Sequence, residues 1–234
     1  MRYIVKRTSD SSIKNIFKFS SSADTIVRKT QMNFTTVEKN ILYEMISFYG
    51  RYGFKNIISG VDNWVLSVDD FGQLVTFRKH FGYSIPSNGA IQKMKKFIDG
   101  QKVLEIGAGM GLFAYLLSIE KVDVVATDDY SWGTSSSGYN FMKIEKLSYA
   151  QAIARYIDRK ILLIIWPPFN DPMAERALDL WKGDKIIYIG EPKTYACATD
   201  RFFEILEADY ELIETIDIPH IEGLFDKIYF YQRN

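Results

Sequence analysis

The glycine-rich segment from Val103 to Phe113 has the clearest potential for ligand binding in the sequence. Three glycines, Gly107, Gly109 and Gly111, follow an apolar, strand-like run and precede a helix-like run. Glycine lets the backbone turn sharply and lets a ligand approach where a Cβ atom would clash. The start of a helix adds free N–H groups and the positive end of a dipole, which favour an anionic group. The segment therefore predicts a cofactor-binding turn between a strand and a helix.

Two classes of cofactor are bound by such a turn, and the spacing of the glycines separates them. Dinucleotide-binding folds use G-x-G-x-x-G, whose third glycine would fall at position 112, which is Leu112. The chain instead has G-x-G-x-G, with an acid two residues before the first glycine. This pattern resembles motif I of the class I S-adenosylmethionine-dependent methyltransferases. The resemblance implies S-adenosylmethionine (SAM) as the cofactor, held at its methionyl end by this segment, through Glu105, Gly107, Ala108, Gly109 and Gly111.

A second acidic residue follows the next predicted strand, where the enzymes that this chain resembles have one. The strand Val122–Thr127 leads into Asp128, 17 residues after Gly111. In those enzymes an acid at this strand end accepts both ribose hydroxyls, since an ionised carboxylate offers two acceptor oxygens. We therefore expect Asp128 to bind the ribose of SAM, with Asp129 as the nearest alternative.

The segment Tyr83–Pro86 precedes the first predicted helix of the same unit. In the resembling enzymes this place often covers the methionine part of the cofactor, which implies a cofactor contact for Tyr83. The alternative is that the segment only leads the chain into the helix, and both interpretations stay open.

The turn Trp166-Pro167-Pro168-Phe169 is our candidate for the methyl-acceptor side of the site. It resembles the Asp/Asn/Ser-Pro-Pro-aromatic turn of methyltransferases that act on the amino group of adenine, where a side-chain oxygen accepts the amine hydrogens. Trp166 has only an N–H donor at that position, which argues against a base amino group as acceptor. A rigid turn with two aromatic side chains is left at the sheet edge where open α/β folds bind ligands. The alternative for Trp166 and Phe169 is that both only cover the core.

Further polar candidates follow the later strands. Glu191 comes directly after a predicted strand, so we expect it in the same crevice, while His220 and Asp226 lie in the loop between the last two strands. A lone histidine in such a loop is more often a surface residue than a base. We assign acceptor chemistry to Trp166 and Glu191, and acceptor binding to Pro167, Pro168, Phe169 and His220.

The elements that must position these residues predict an α/β fold. Strands alternate with helices from Pro86 onward, which favours a doubly wound, mostly parallel sheet of seven strands. Two final strands with no helix between them predict an antiparallel C-terminal hairpin. We expect a class I methyltransferase domain over residues 83–234 and a partly helical N-terminal extension over residues 1–82. In that extension, residues 8–23 read as a loop and Thr35-x-x-Glu38 as the capping box of a helix.

Composition excludes several other classes of protein. The chain has 234 residues, 47% of them apolar, and a net charge of zero, so most of it has enough apolar material to fold. The single cysteine, Cys197, excludes a disulfide framework, and two histidines with no ligand spacing argue against a metal site. No apolar run is long enough for a membrane span or a secretory signal, so we expect a cytoplasmic protein.

These observations predict a SAM-dependent methyltransferase whose acceptor is a small molecule or a protein. An RNA or DNA acceptor is the alternative, because the first sixty residues hold 10 basic and 4 acidic side chains. A non-catalytic subunit with a cofactor fold and a nicotinamide-dependent oxidoreductase are the further alternatives. The oligomeric state and the identity of the acceptor do not follow from the sequence.

Overall fold

The computed structural model of the chain describes residues 57–59, 64–66, 78, 82–132, 140–193, 196–221 and 223–234. The loop expected over residues 8–23 and the helix expected near Thr35 lie outside the described residues. Every residue that we assigned to the candidate site lies within the described part.

Strands and helices alternate through the described part of the chain, as expected. The strands are β1 (Ile57–Ser59), β2 (Trp64–Leu66), β3 (Val103–Ile106), β4 (Val124–Asp128), β5 (Ile144–Lys146), β6 (Ile161–Ile165), β7 (Lys185–Gly190), β8 (Tyr210–Asp217), β9 (His220–Ile221) and β10 (Lys227–Arg233). The helices are α1 (Asn88–Ile98), α2 (Leu112–Ile119), α3 (Tyr149–Arg155), α4 (Met173–Leu180) and α5 (Asp200–Asp209).

A seven-stranded sheet forms the centre of the fold, in the order β5-β4-β3-β6-β7-β10-β8. The strands from β5 to β7 pair in parallel, while β10 is antiparallel to both β7 and β8. The expected doubly wound sheet with an antiparallel C-terminal hairpin is confirmed. Because β10 runs against its neighbours, it starts at the edge of the sheet where the parallel strands end.

The central strands are buried on both faces, which explains their nearly continuous apolar sequences. Along β6, Ile161 and Leu163 face one hydrophobic cluster, and Leu162 and Ile164 face the other. The first cluster lies against α1 and α2, and the second lies against α3, α4 and α5. The sheet is therefore covered by helices on both sides.

Local capping sets the helix starts. Ser87 caps α1 by accepting the backbone N–H of Ala90, and Ser148 forms a capping box with Gln151 at α3. The N-cap of α5 is Thr199 and not the acid that follows it. Asp200 instead lies in the first turn, where its charge complements the helix dipole.

Side chains also contact the backbone near the ends of two other helices. Helix α3 ends at Arg155, and the guanidinium of Arg159, which follows it, turns inward and donates to the carbonyl of Val103. Helix α4 begins after Pro172, and Asp171 accepts the backbone N–H of Met173 from one residue before that N-cap.

A second, three-stranded sheet joins the N-terminal part of the chain to the C-terminal hairpin. Its order is β1-β2-β9, with β1 and β2 antiparallel and β2 parallel to β9. Strand β9 was not predicted, since two residues carry no periodicity. Strand β5 was also missed, because its three residues are only half-buried or exposed and show no apolar run.

Candidate functional site

The turn after β3 has the backbone geometry that glycine favours. Gly107 (φ +61°) and Gly109 (φ +55°) both lie in the left-handed region, where a side chain is strained. A Cβ atom at Gly109 would meet nothing within 4 Å among the described residues, whereas one at Gly107 would lie 3.2 Å from Cε of Met173. The turn therefore leaves open space beside Gly109, where a ligand can approach the backbone.

The acid before this turn is fully enclosed. Glu105 on β3 is 2% exposed, and its carboxylate accepts the backbone N–H of Ala114, the third residue of α2. Its Oε2 atom is buried and has no hydrogen-bond partner in the part of the chain that the structure describes. Burial raises the pKa of Glu105 to about 8, because the charged form loses its hydration. Glu105 therefore offers an unused acceptor oxygen two residues before the glycine turn.

Asp128, at the end of β4, is tied to the same turn. Its Oδ2 accepts the backbone N–H of Gly109 at 2.7 Å, and its Oδ1 accepts that of Tyr130 at 2.6 Å. Burial raises the pKa of Asp128, and the two backbone N–H groups partly oppose that shift. Asp129 is exposed, and its carboxylate accepts the N–H of Ser131 in its own loop. Of the two acids, Asp128 is thus the one that the structure brings to the glycine turn.

The other two residues of the glycine segment serve the backbone and the packing. Ala108 donates its N–H to the carbonyl of Thr127 and accepts the N–H of Gly111, which closes the turn against β4. Gly111 is the N-cap of α2, and a Cβ atom there would lie 2.5 Å from Cδ1 of Ile144 and 3.2 Å from Cγ of Met142. Gly111 is therefore required by the close approach of β5 rather than by open space for a ligand.

The Trp-Pro-Pro-Phe turn starts from a constrained residue. Trp166 has φ +46°, which is unusual for an aromatic residue, and its backbone N–H donates to the carbonyl of Ile189 at 2.8 Å. Its indole Nε1 donates to Oδ2 of Asp226 at 2.8 Å, and the hydroxyl of Ser84 donates to the same oxygen at 3.1 Å. The turn, the segment before α1 and the segment before β10 therefore meet at one carboxylate.

Asp226 is enclosed in the same way as Glu105. It is 3% exposed, and its Oδ1 is buried without a hydrogen-bond partner among the residues described here. Burial raises the pKa of Asp226 to about 7, although the hydrogen bonds from Trp166 and Ser84 favour its charged form. The carboxyl group therefore changes its protonation state close to neutral pH.

Aromatic and cationic groups flank this carboxylate. The rings of Tyr83 and Trp166 stack with 5.4 Å between their centroids and 30° between their planes. The guanidinium carbon of Arg78 lies 4.6 Å from the ring centroid of Tyr83 and 5.0 Å from that of Trp166. The structure therefore brings Tyr83, which we assigned to the cofactor, into contact with the acceptor-side candidate Trp166.

The remaining acceptor-side candidates are spread around this edge of the sheet. Glu191 follows β7, is buried, and accepts the backbone N–H of Phe225. Phe169 is exposed, and Pro167 is buried, with its carbonyl accepting the N–H of Ala198. Pro168 is half-buried. His220 lies on β9, where its Nδ1 is 3.2 Å from the carbonyl oxygen of Ile218.

Three residues that gather around Trp166 had no role in our assignment from the sequence, namely Asp226, Ser84 and Arg78. We selected His220 from the loop between the last strands, whereas Asp226 is the residue of that loop that meets the turn. One signal was available: an acid directly before an antiparallel strand lies at the edge where parallel strands end. Ser84 and Arg78 gave no such signal, because their contacts depend on the tertiary fold.

Cys197 is a buried free thiol. Burial raises the pKa of the Cys197 thiol to about 12, so it is neutral at physiological pH, as expected of a buried cysteine. In the described ranges, no three His, Cys, Asp or Glu side chains are grouped so as to hold a metal ion. No described helix has the length and apolar character needed to cross a membrane.

Known proteins resemble this chain in fold only. No protein-family model and no curated protein matches its sequence. Magnesium protoporphyrin IX methyltransferase from Synechocystis PCC 6803 with bound SAM is 13% identical over 87% of this chain and 100% of its own, with a TM-score of 0.47. The tRNA (uracil-54, C5)-methyltransferase of Pyrococcus abyssi, in complex with S-adenosylhomocysteine, is 16% identical over 61% of this chain and 36% of its own, with a TM-score of 0.45. A protein of the NADB-Rossmann superfamily from Streptococcus agalactiae is 11% identical over 64% and 70%, with a TM-score of 0.43.

The topology of the large sheet identifies the fold. Numbered within that sheet alone, the strands follow the order 3-2-1-4-5-7-6, and the seventh strand is antiparallel to both of its neighbours. The chain therefore has the doubly wound, seven-stranded fold with an antiparallel C-terminal hairpin that we expected from its resemblance to the class I SAM-dependent methyltransferases.

Proposed function

We propose that the chain is a SAM-dependent methyltransferase. The observation that carries this proposal is the convergence of Glu105, Gly109 and Asp128 at the carboxyl ends of two adjacent parallel strands. A buried acceptor oxygen on Glu105, open space beside Gly109 and a second carboxylate on Asp128 are brought together around the turn that follows β3. A nucleoside with a cationic amino-acid tail needs these groups, because its ammonium group and its ribose hydroxyls are all hydrogen-bond donors.

Each residue has a separate part in holding the cofactor. Glu105 would bind the ammonium group of the methionyl tail, and Asp128 would bind the ribose hydroxyls. Each oxygen of Asp128 already accepts one backbone N–H, but a carboxylate oxygen has two lone pairs and can accept a second donor. Gly109 keeps the backbone free of a side chain where the cofactor would approach.

Methyl transfer from SAM requires little from the protein beyond alignment of the two reactants. SAM supplies, when bound, a methyl group on a positively charged sulfur. The residues of the chain then have to orient the acceptor in line with that methyl group and exclude water, and holding reactants in the correct geometry is itself a large catalytic effect. The buried carboxylates and the aromatic pair Tyr83–Trp166 would do this at the acceptor side.

A small-molecule or protein acceptor is our first choice, because the acceptor side is aromatic and the chain carries no net charge. An RNA or DNA acceptor is favoured by a different observation. Strand β2 pairs with β9, which lies five residues before Asp226, and β2 follows the basic first sixty residues directly in the sequence. Salt-sensitive retention on nucleic acid that is lost on deletion of residues 1–34 would support this second candidate. No retention at low salt would contradict it.

Calorimetric titration with SAM and with S-adenosylhomocysteine tests the proposed function. We expect binding to the full chain, and a loss of at least about tenfold in affinity in Asp128→Ala, which corresponds to about 1.4 kcal/mol. Asp129→Ala tests the alternative acid and should bind nearly as well as the wild type. Asp158→Ala is the matched control, since Asp158 is exposed and pairs with Lys102 directly before β3, at the opposite edge of the sheet. Absence of binding by the wild type, or full affinity in Asp128→Ala, would contradict the proposal.

A further inference from the structure

Two buried polar atoms in the cluster around Trp166 have no hydrogen-bond partner among the residues that the structure describes. One is Oδ1 of Asp226, a hydrogen-bond acceptor, and the other is Nε of Arg78, a hydrogen-bond donor. The two charged groups are close enough to interact electrostatically, and no hydrogen bond joins them in the described residues. An unpaired polar group in a buried position carries a free-energy cost, because it has lost its hydration without gaining a partner. A molecule that pairs with both atoms would recover that cost.

We propose that Asp226 and Arg78 form the polar half of the methyl-acceptor site. Its occupant is a neutral, planar group in which an N–H or O–H donor stands next to a hydrogen-bond acceptor. This inference rests on the proposed function, because it identifies the occupant as the methyl acceptor. In this arrangement, Asp226 Oδ1 accepts the hydrogen of the N–H or O–H group and Arg78 Nε–H donates to the neighbouring atom.

The charges around the site select a neutral occupant. A cation would be repelled by the guanidinium of Arg78, and an anion would be repelled by the carboxylates of Asp226 and Glu191. A neutral group avoids both penalties and uses one donor and one acceptor. The opposite charges of Asp226 and Arg78 then still compensate each other.

The aromatic pair selects a planar occupant. Tyr83 is 40% exposed and stacks on Trp166, so the outer part of this pair offers flat apolar surface next to the polar atoms. Oδ1 of Asp226 and Nε of Arg78 are both buried. The occupant therefore has to displace the Arg78 guanidinium from the rings of Tyr83 and Trp166. The loss of these cation–π contacts opposes binding, and the new hydrogen bonds to the two buried atoms favour it.

Trp166 and Ser84 hold the carboxylate in place. Both donate to Oδ2 of Asp226, at 2.8 Å and 3.1 Å, which leaves Oδ1 as the oxygen for the occupant. In this way Asp226 supplies, from the segment before β10, an acceptor oxygen beside the Trp-Pro-Pro-Phe turn, whose own first side chain has only a donor.

A pair of small probes tests this site without knowledge of the natural acceptor. 2-Pyridone is planar and neutral, with an N–H donor next to a carbonyl, and N-methyl-2-pyridone keeps the ring and carbonyl but lacks the donor. Binding is measured at pH 8.5 from the indole N–H signal of Trp166 in two-dimensional NMR spectra, assigned with Trp166→Phe. We expect 2-pyridone to shift this signal and to bind at least about tenfold more tightly than its N-methyl analogue, since a hydrogen bond to a charged group is lost.

Variants and the pH dependence of binding test whether Asp226 causes the preference for 2-pyridone over N-methyl-2-pyridone. Asp226→Asn and Ser84→Ala should lower the preference for the N–H probe, and Asp217→Asn, an exposed acid paired with Lys227, should keep it. Below pH 6 the preference should also be lost, because the protonated carboxyl group no longer accepts at Oδ1. Thermal unfolding of each variant shows whether it is folded.

The other groups around Asp226 have to be separated from it in the pH experiment. Those that interact with it electrostatically are Arg78, Tyr188, Glu191, Cys197 and Tyr229. Arginine stays charged from pH 6 to 8.5, and burial raises the pKa values of the two tyrosines and of the thiol far above that range. Glu191 is the other carboxylate, so the pH transition should persist in Glu191→Gln.

Failure of the acceptor site and failure of the proposed function would give different results in these experiments. Equal binding of the two probes, an unchanged preference in Asp226→Asn, or no shift of the Trp166 signal with either probe would overturn the acceptor site. SAM binding in the same samples, measured by calorimetry, reports on the proposed function alone. Loss of the probe preference with SAM binding retained therefore contradicts the acceptor site only.

Discussion

The carboxylate of Asp128 accepts a hydrogen bond from the backbone N–H of Gly109, with 2.7 Å between Oδ2 and N. This bond joins the end of β4 to the turn after β3, and it holds the turn in the left-handed conformation at Gly109. It also places a carboxylate directly beside the open space at this glycine. The backbone of the turn and the acid that we expect to bind ribose are therefore parts of one rigid unit.

The glycines of this turn should respond differently to alanine. In Gly109→Ala the Cβ atom enters open space, so the protein should fold with a loss of about 1 kcal/mol for the left-handed backbone, while SAM affinity should fall at least tenfold. In Gly111→Ala the Cβ atom would lie 2.5 Å from Cδ1 of Ile144, so stability should fall by about 1–3 kcal/mol. Urea unfolding and calorimetry measure the two quantities.

Gly109→Ala should mainly lose SAM affinity, and Gly111→Ala should mainly lose stability. If Gly109→Ala bound SAM with full affinity, the open space would not be part of the cofactor site. If Gly111→Ala were as stable as Gly109→Ala, the close approach of Ile144 and Met142 to Gly111 would not limit the packing.

The cofactor side of the site could be predicted from the sequence because it is local. Gly107 and Gly109 need their conformation within one turn, and Asp128 follows the next strand along the chain, so a single pattern contains all three. The sequence spacing did not separate Asp128 from Asp129. Only the fold does so, by turning one carboxylate to Gly109 and leaving the other in its own loop.

The acceptor side could not be predicted in the same way, because its contacts are between distant parts of the chain. Asp226 meets Trp166 across 60 residues and Ser84 across 142. No pattern of neighbouring residues in the sequence predicts such a contact. The mostly parallel sheet and its antiparallel hairpin were predictable from the sequence of strands and helices. The short strands β5 and β9 were not, because they are defined by their pairing with β4 and β2.

Stability should fall as the pH rises from 5 to 8, because of Glu105. Its folded-state pKa is raised to about 8 from an ordinary value of 4.5, so the folded state binds the proton more tightly than the unfolded state. The free energy of unfolding should therefore fall, by up to about 1.4 kcal/mol per pH unit for one proton, and level off above pH 8. Asp226 acts in the same direction up to about pH 7.

Urea unfolding at several pH values checks this dependence. Glu105→Gln cannot ionise and should have a smaller slope between pH 5 and 8 than the wild type. Lys102, Asp158 and their exposed ion pair offer a matched comparison, since Asp158→Asn changes an acid without a buried charge. An identical slope in Glu105→Gln and the wild type would show that Glu105 ionises in the folded state as easily as in water.

The start of α5 should depend on Thr199 rather than on Asp200. The hydroxyl of Thr199 accepts the backbone N–H of Phe202, so Thr199→Ala leaves that N–H unpaired and should cost about 1 kcal/mol. Asp200→Asn removes only a charge near the helix dipole and should cost about 0.3–1 kcal/mol. Thermal or urea unfolding of the two variants checks the order, and a larger loss in Asp200→Asn would contradict the assigned cap.

The indole N–H of Trp166 should lower the pKa of Asp226. Trp166→Phe removes this donor but keeps an aromatic ring at the left-handed position, so it isolates the hydrogen bond from the backbone strain. The pKa of Asp226 should then rise above its wild-type value of about 7, because only Ser84 still donates to the same oxygen. The shift is measured from the side-chain carboxyl carbon of Asp226 by NMR titration.

The same substitution should have a pH-dependent cost in stability. Above pH 8 the wild-type carboxylate is charged and the lost hydrogen bond should cost about 1.5–3 kcal/mol, whereas at pH 5 the carboxyl group is protonated and the cost should be smaller. Ser84→Ala is the matched variant, and it should raise the pKa less, since its hydrogen bond is the longer of the two. A pKa that falls in Trp166→Phe, or a cost that is the same at both pH values, would show that the indole does not stabilise the charged form of Asp226.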